Sequence, residues 1–264
     1  MKFMTIRSGS NANSIYINQK DYGILIDAGA GIRTVESALS EAGCDAGRIA
    51  AVFITHEHID HIRALPALVR KYHVPVFANA ATCRAILSRL KDLPEDCLNE
   101  LPTGKCASCP DLKVTSFKTS HDAAESVGYT VTDGVSKFSV ATDLGVMTEE
   151  VLIHIRQSDA LVLESNYDEN MLKNGIYPLA LQQRILSEHG HLSNDSCAVT
   201  AAALVKGGTR KIVLGHLSEN NNTPMVAYTR TVRELEENGI VLQQDVSLMV
   251  ASREKNSALL EVRE

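Results

Sequence analysis

The chain has 264 residues, of which 44% are hydrophobic and 22% charged, the composition of an ordinary globular protein long enough for one large core. Its net charge of −6 argues against a broad basic face that coats duplex nucleic acid. No apolar stretch approaches bilayer-spanning length and residues 1–10 lack the apolar run of a signal peptide, so a cytoplasmic protein with no membrane partner is expected.

Strands are predicted over 2–7, 13–18 and 22–27, with the turn Ser8-Gly9-Ser10-Asn11 between the first two. A helix over 33–43 carries leucine and alanine on one stripe. The apolar run 50–55 predicts a buried strand, and it leads straight into His56-Glu57-His58-Ile59-Asp60-His61. A helix over 62–72, a short strand over 74–78 and a helix over 80–91 follow. Period-two alternation predicts a β-rich stretch over 112–142, with Thr132-Asp133-Gly134 as its hairpin turn. Next come a helix over 148–156, a strand over 160–164, helices over 178–188 and 195–205, and a strand over 211–215. Thr223-Pro224 has the cap and first-turn residues of a helix running to about 237. Strands over 240–243 and 247–251 end the pattern, and the polar 252–264 is expected to be partly disordered. Strands early and in the middle, with helices between, suit two packed sheets with helices outside.

Four metal-binding side chains in six residues give the strongest chemical signal. His56 and His58 are two apart, so in extended backbone they point the same way. Asp60 and His61 follow after the chain turns and can face a second ion. Imidazole together with carboxylate suits zinc, manganese or iron better than calcium. The competing reading, a solvated polar loop, requires three of the chain's 9 histidines to meet beside an aspartate by chance. Six cysteines without an export signal are not expected to pair. Cys106 and Cys109, with Cys83 and Cys97 upstream, offer a structural zinc site, but with one CxxC pair free thiols are the better reading.

Other strand ends carry the same residue types in order: Asp27 in 24–29, His121 in 119–122, Asp143 in 140–145 and His216 in 212–218. Together with the His56–His61 motif, this series resembles the metallo-β-lactamase fold hydrolases. The resemblance implies an α/β fold, an αββα sandwich of two mixed β-sheets flanked by helices. It implies a single domain over 1–264, made of two similar halves with the site along one edge. It also implies two divalent metal ions, zinc or manganese, with iron a further candidate. His56, His58 and His121 would hold the first ion, and Asp60, His61 and His216 the second. Asp143 would bridge them with a water or hydroxide between, and Asp27 would orient a ligand histidine from behind. Such an ion pair generates hydroxide near neutral pH. Hydrolases of this kind act on lactams, lactones, thioesters and phosphodiesters.

The second half narrows the choice. Segments 163–167, 190–195 and 215–222, with 141–145, are similar to the YycJ (WalJ) branch, nucleases that degrade DNA from a 5′ end. The resemblance implies a dinuclear-metal-dependent phosphodiesterase, a 5′-to-3′ DNA exonuclease with DNA 5′ ends as partner. Asp60 and His191 are its catalytic candidates. One departure lies in the N-terminal turn, where Asn11 and Ala12 stand in place of a small residue and a glycine. His191 is placed to donate a proton to the leaving oxygen. Ser193 or Asn194 should cap the helix near 195, whose free N–H groups can hold an anion. Ser218 and Asn221 follow a ligand and are expected on the rim as substrate contacts. Arg184 reads as a solvated helix position more than as a phosphate contact, and Glu164 and Asn166 are near the site. His154 and His189 read as ordinary helical or surface histidines. The acidic balance favours an alternative, a small-molecule hydrolase acting on a lactone, thioester or cyclic phosphodiester. It does not exclude a nuclease, because bound ions supply positive charge where the phosphate sits. Nothing in the sequence sets the assembly, and a homodimer is only the commonest one.

Overall fold

The computed structural model describes residues 1–263. Three N-terminal strands, β1 (Lys2–Arg7), β2 (Ser14–Gln19) and β3 (Tyr22–Ile26), form an antiparallel meander. After helix α1 (Ile32–Glu41) the chain turns parallel, through β4 (Ile49–Phe53), the short helix α2 (Ile59–Ile62), α3 (Leu65–Tyr72), β5 (Val76–Ala78), α4 (Ala80–Arg89) and β6 (Leu98–Glu100). The second half opens with antiparallel strands β7 (Cys106–Cys109), β8 (Leu112–Lys118), β9 (Val127–Thr132) and β10 (Lys137–Ala141). It continues through α5 (Glu149–Ile155), β11 (Ala160–Glu164), α6 (Glu169–Asn174), α7 (Leu179–Leu186), α8 (Asn194–Lys206), β12 (Lys211–Gly215), α9 (Pro224–Glu237), β13 (Ser247–Val250) and β14 (Leu260–Glu261).

One sheet has the order β14-β1-β2-β3-β4-β5-β6 and the other β13-β12-β11-β10-β9-β8-β7. Each is antiparallel over half its width and parallel over the rest, the mixed pair of sheets expected. Alternation along the strands builds the layers. Ile24 and Ile26 point into an inter-sheet core with Phe53, Tyr129, Phe138, Val140, Val162 and Val213. Leu25, between them, points outward under α1, α3 and α4 with Val35, Leu39, Leu65 and Leu68. Leu161, Leu163, Ile212 and Leu214 point the other way, under α5, α8 and α9. Phe3 and Phe138 join the sheets with ring centroids 4.5 Å apart. Burying each such side chain contributes about 1.5–3 kcal/mol.

Several expectations are corrected. The helix expected over 62–72 is two pieces, because Pro66 starts a new helix and Ala64 N donates to Ala28 O at 2.8 Å. The first piece carries Asp60 and His61. Residues 240–243 form a turn, not a strand: Asp245 N donates to Val241 O, Val241 N to the Asp245 carboxylate, and Gln243 has φ 64°. The tail over 252–263 is folded. Ser257 and Thr5 exchange hydrogen bonds, β14 pairs with β1, and Val262 is buried. Residue 264 lies outside the described residues. Strands β6 and β7 and helix α6 are too short for a clear periodic signal. The cysteines are free thiols, and among the described residues none joins a metal-sized cluster. Burial pushes the Cys83 and Cys97 thiols up to about 11, which disfavours the thiolate a zinc ion needs.

Candidate metal centre

Parallel strands open their carboxyl ends toward one edge of the sandwich, and the site is built there. Asp27 follows β3, Thr55 to His61 follow β4, Asp143 follows β10, Glu164 ends β11 and His216 follows β12. Asp27, Asp143 and His216 adopt left-handed backbone, with φ of 61°, 58° and 55°. Such a conformation costs about 1 kcal/mol or more per residue outside glycine and is best tolerated by Asp, Asn and His. Here it turns each side chain off its strand end into the shared edge.

Each buried imidazole is anchored through one ring nitrogen and aims the other at the centre. His61 Nδ1 lies 2.8 Å from Asp27 Oδ2, and Asp27 is itself fixed by Thr55 N at 2.8 Å and the Thr55 hydroxyl. His121 Nδ1 donates to Gly190 O at 2.9 Å. His56 Nδ1 lies 3.0 Å from the Thr55 hydroxyl, and His216 Nδ1 lies 3.0 Å from Glu164 Oε1. The opposite nitrogens of His56, His121 and His216 are buried without a partner, and so is Asp143 Oδ2. Buried polar atoms left without a hydrogen bond in such number at one spot are costly unless something fills the space between them.

The ligand atoms of His56, His58 and His121 lie within 4.8 Å of one another, as do those of Asp60, His61 and His216. Asp143 stands between the groups, 3.6 Å from His61 Nε2, 3.8 Å from His121 Nε2 and 3.3 Å from His216 Nε2. This donor set, imidazoles on one side and imidazoles with carboxylates on the other, fits divalent transition ions.

The electrostatics divide in the same way. Burial and then the neighbouring imidazoles hold His56 well below the ordinary histidine value, and His58 below it, so both are neutral donors. Burial also disfavours charge on His216, yet Asp143, Asp60 and Glu164 outweigh it and carry that imidazole up to about 10. His61 is raised for the same reason by Asp27, Asp143 and Asp60. The carboxylate side therefore demands positive charge.

The remaining residues sort unevenly. His191 joins the site, with Nδ1 2.7 Å from Glu164 Oε1 and 4.0 Å from Asp143 Oδ1. Ser218 lines the adjoining cleft. Ser193 caps α8, accepting from Ser196 N. Asn194 does not reach the cleft, because its buried amide bonds with Ser165 and Asn222. Asn221 is likewise fully buried, behind Ser218. The first turn of α8 carries Asp195, paired with Arg230, which opposes the anion-binding role expected there. His154 stacks on Phe117, and His189 is exposed beside Ser120.

Three residues with a part in the site were not singled out from the sequence. Asn13 Nδ2 donates to Asp60 Oδ2 at 3.1 Å and to Gly9 O at 3.0 Å. Ser8 Oγ accepts from His216 N at 2.8 Å. Thr55 links Asp27, His56 and His61. The only signal for Asn13 and Ser8 is their place in the N-terminal turn, whose approach to the site depends on pairings 47 and 208 residues away.

Comparison with known proteins places this geometry. The Exodeoxyribonuclease YycJ of Bacillus anthracis is 34% identical over 239 residues, covering 90% of both chains. The Exodeoxyribonuclease WalJ of Streptococcus pneumoniae is 31% identical over 263 residues, covering 99% of this chain and 98% of that one. Among solved structures, the metallo-beta-lactamase fold protein YhfI from Bacillus subtilis superposes with a TM-score of 0.71 at 15% identity, covering 97% of this chain and 98% of that one. No helix among the described residues is long and apolar enough to cross a membrane. Residues 22–217 match the family described as the beta-lactamase superfamily domain, and the chain belongs to that superfamily.

Proposed function

We propose that this chain is a metal-dependent phosphodiesterase that digests DNA from the 5′ end. The observation that carries the reading is the end-to-end match to two exodeoxyribonucleases in a chain whose candidate ligands converge on one edge. His56, His58 and His121 would hold one divalent ion, and Asp60, His61 and His216 a second, with Asp143 between them; zinc, manganese and iron all suit the donors. Ions bound there supply an activated water and neutralise charge on the attacked phosphate.

The chain's own residues do the rest. Asp27 and Glu164 orient the ligand imidazoles. Glu164 also engages His191 Nδ1, leaving Nε2 as the ring nitrogen that can deliver a proton to the leaving 3′ oxygen. Burial alone would raise the Glu164 carboxyl, but His191 and His216 outweigh it and hold it well below the usual carboxylate range, so an ionised acceptor fixes the orientation of both rings.

Digestion of end-labelled single-stranded and duplex DNA in manganese and in zinc tests the reading, with Asp143→Ala alongside. Release of mononucleotides that requires metal, Asp143 and a 5′ end is the expected result. The net charge of −6 favours a second reading, a small-molecule hydrolase. Cleavage of bis-p-nitrophenyl phosphate or a lactone with DNA left intact would establish it.

A further inference from the structure

A cleft of about 140 Å³ opens beside the metal centre, with His191 in its wall. Ser10, Asp122, Tyr177, Arg184, His191 and Ser218 line it. We propose that this cleft seats the terminal 5′-phosphate of the substrate, with Arg184 as its cation. The inference rests on the nuclease reading above and names the group that such an enzyme recognises.

The lining chemistry carries the argument. Arg184 uses its Nε on the Asp122 carboxylate, and its terminal nitrogens have no partner among the described residues. The Tyr177 hydroxyl accepts from Asn220 Nδ2 at 3.0 Å, so its own proton is free to be donated. Ser218 Oγ accepts from Asn221 N at 3.2 Å and is in the same position. Ser10 also lines the cleft, and its Oγ has no partner among the described residues. The one carboxylate in the lining, Asp122, already faces Arg184. The Asn166 amide nitrogen is turned to His216 O. What remains is a guanidinium and three hydroxyl donors facing one space. A ligand that only accepts hydrogen bonds and carries negative charge suits it, and a phosphomonoester is such a group.

Size and position agree. A volume of 140 Å³ is that of roughly five waters in the liquid, enough for a phosphate and the edge of a sugar but not for a base pair. A terminal phosphate with the edge of its own sugar is a group of that size. The wall is fixed by a small core of its own, in which Tyr167, Leu172 and Ile185 pack with Tyr177 and Leu181. That core places Arg184 and Tyr177 on α7 and the segment before it.

The test compares kcat/KM for the same DNA with a 5′-phosphate and with a 5′-hydroxyl. Taking the ratio within each variant cancels any effect on the metal centre. The native protein should favour the phosphate by about ten- to a hundred-fold, the range for a charge-assisted contact. Arg184→Gln should bring the ratio close to one. Tyr177→Phe, which leaves the Arg184–Asp122 pair intact, should lower it by a smaller factor. DNA digestion with no preference, or with a preference that both variants retain, overturns the inference and leaves the nuclease reading standing. If DNA is not digested at all, inhibition of bis-p-nitrophenyl phosphate cleavage decides. A 5′-deoxynucleotide that inhibits more strongly than its nucleoside and than inorganic phosphate, in a way that Arg184→Gln weakens, upholds the seat. Equal inhibition by inorganic phosphate, or by the nucleoside, overturns it.

Discussion

Glu164 Oε1 lies 3.0 Å from His216 Nδ1, and the pair repeats in the second half of the chain what Asp27 and His61 do in the first, at 2.8 Å. Both carboxylates leave the ends of parallel strands, and both stand behind an imidazole that faces Asp143. Each fixes the ring orientation and raises the basicity of the nitrogen left for an ion.

Glu164→Gln should therefore lower metal affinity or turnover by about 10- to 100-fold. The substitution keeps the volume and one acceptor but removes the charge that both His216 and His191 face. Metal content by mass spectrometry and turnover of bis-p-nitrophenyl phosphate read the two effects separately. Values within two-fold of the native protein would show that Glu164 only balances charge.

Gly29→Ala should be more damaging than its size suggests. A Cβ there would sit 1.6 Å from the Asp60 carbonyl oxygen, and Gly29 N and Asn13 N hold the same crossing together at 2.8 Å. Backbone cannot rotate away as a side-chain tip can, so the Asp60–His61 turn must move. Overpacking of this kind costs about 1–3 kcal/mol. Thermal unfolding with and without manganese should show a lower midpoint and a smaller gain from the ion. An unchanged gain would mean that the ligand loop tolerates the shift.

The uneven legibility of this site has a physical cause. His56, His58, Asp60 and His61 are contiguous, so strand-and-turn geometry alone places them near one another. The strands that bear Asp27, Asp143 and His216 are buried apolar runs, and their ends are clear in the sequence. Asn194 is expected to cap a helix end that holds an anion, and Asn221 to lie on the rim because it follows a ligand. Their side chains instead bond buried groups: Asn194 is engaged by Ser165 and Asn222, which arrive from elsewhere in the chain, and Asn221 turns back onto Ser218 in its own loop. The tail failed for the opposite reason. Its polar composition is that of a loose end, but β1 offers an open edge that β14 covers.

Asp133 gives the fold a handle on acid stability that is separate from the site. Its carboxylate accepts from Ser136 N at 2.7 Å and Val135 N at 3.0 Å in the β9–β10 turn. Burial alone would raise its pKa, but these bonds outweigh it and hold the carboxyl at about 2. Its contribution is thus fully present above the unfolded value near 4 and lost as pH falls toward 2. Asp133→Asn should be less stable at pH 7 by about 1 kcal/mol, with the gap closing below pH 2. Denaturant midpoints at a series of pH values would show this, and a gap independent of pH would refute it.

Chelation should lower stability, and by an amount that the geometry bounds. His56 Nε2, His121 Nε2, His216 Nε2 and Asp143 Oδ2 are buried atoms without a hydrogen bond. Ions that bind only the folded chain stabilise it by about 2.7 kcal/mol for one site at a hundred times its Kd. For a chain of this length that is a midpoint shift of roughly 5–10 °C per site. Calorimetry after chelation should show the drop, and added zinc or manganese should restore it. Asp143→Ala removes the residue that stands 3.6 Å and 3.8 Å from His61 and His121, so it should abolish most of the restoration. The alanine chain itself, measured with chelator present, should be less stable than the native one, because the His61 and His216 imidazoles that Asp143 raises lose a buried carboxylate that faces them. A native protein indifferent to chelator would remove metal binding from the account of this site.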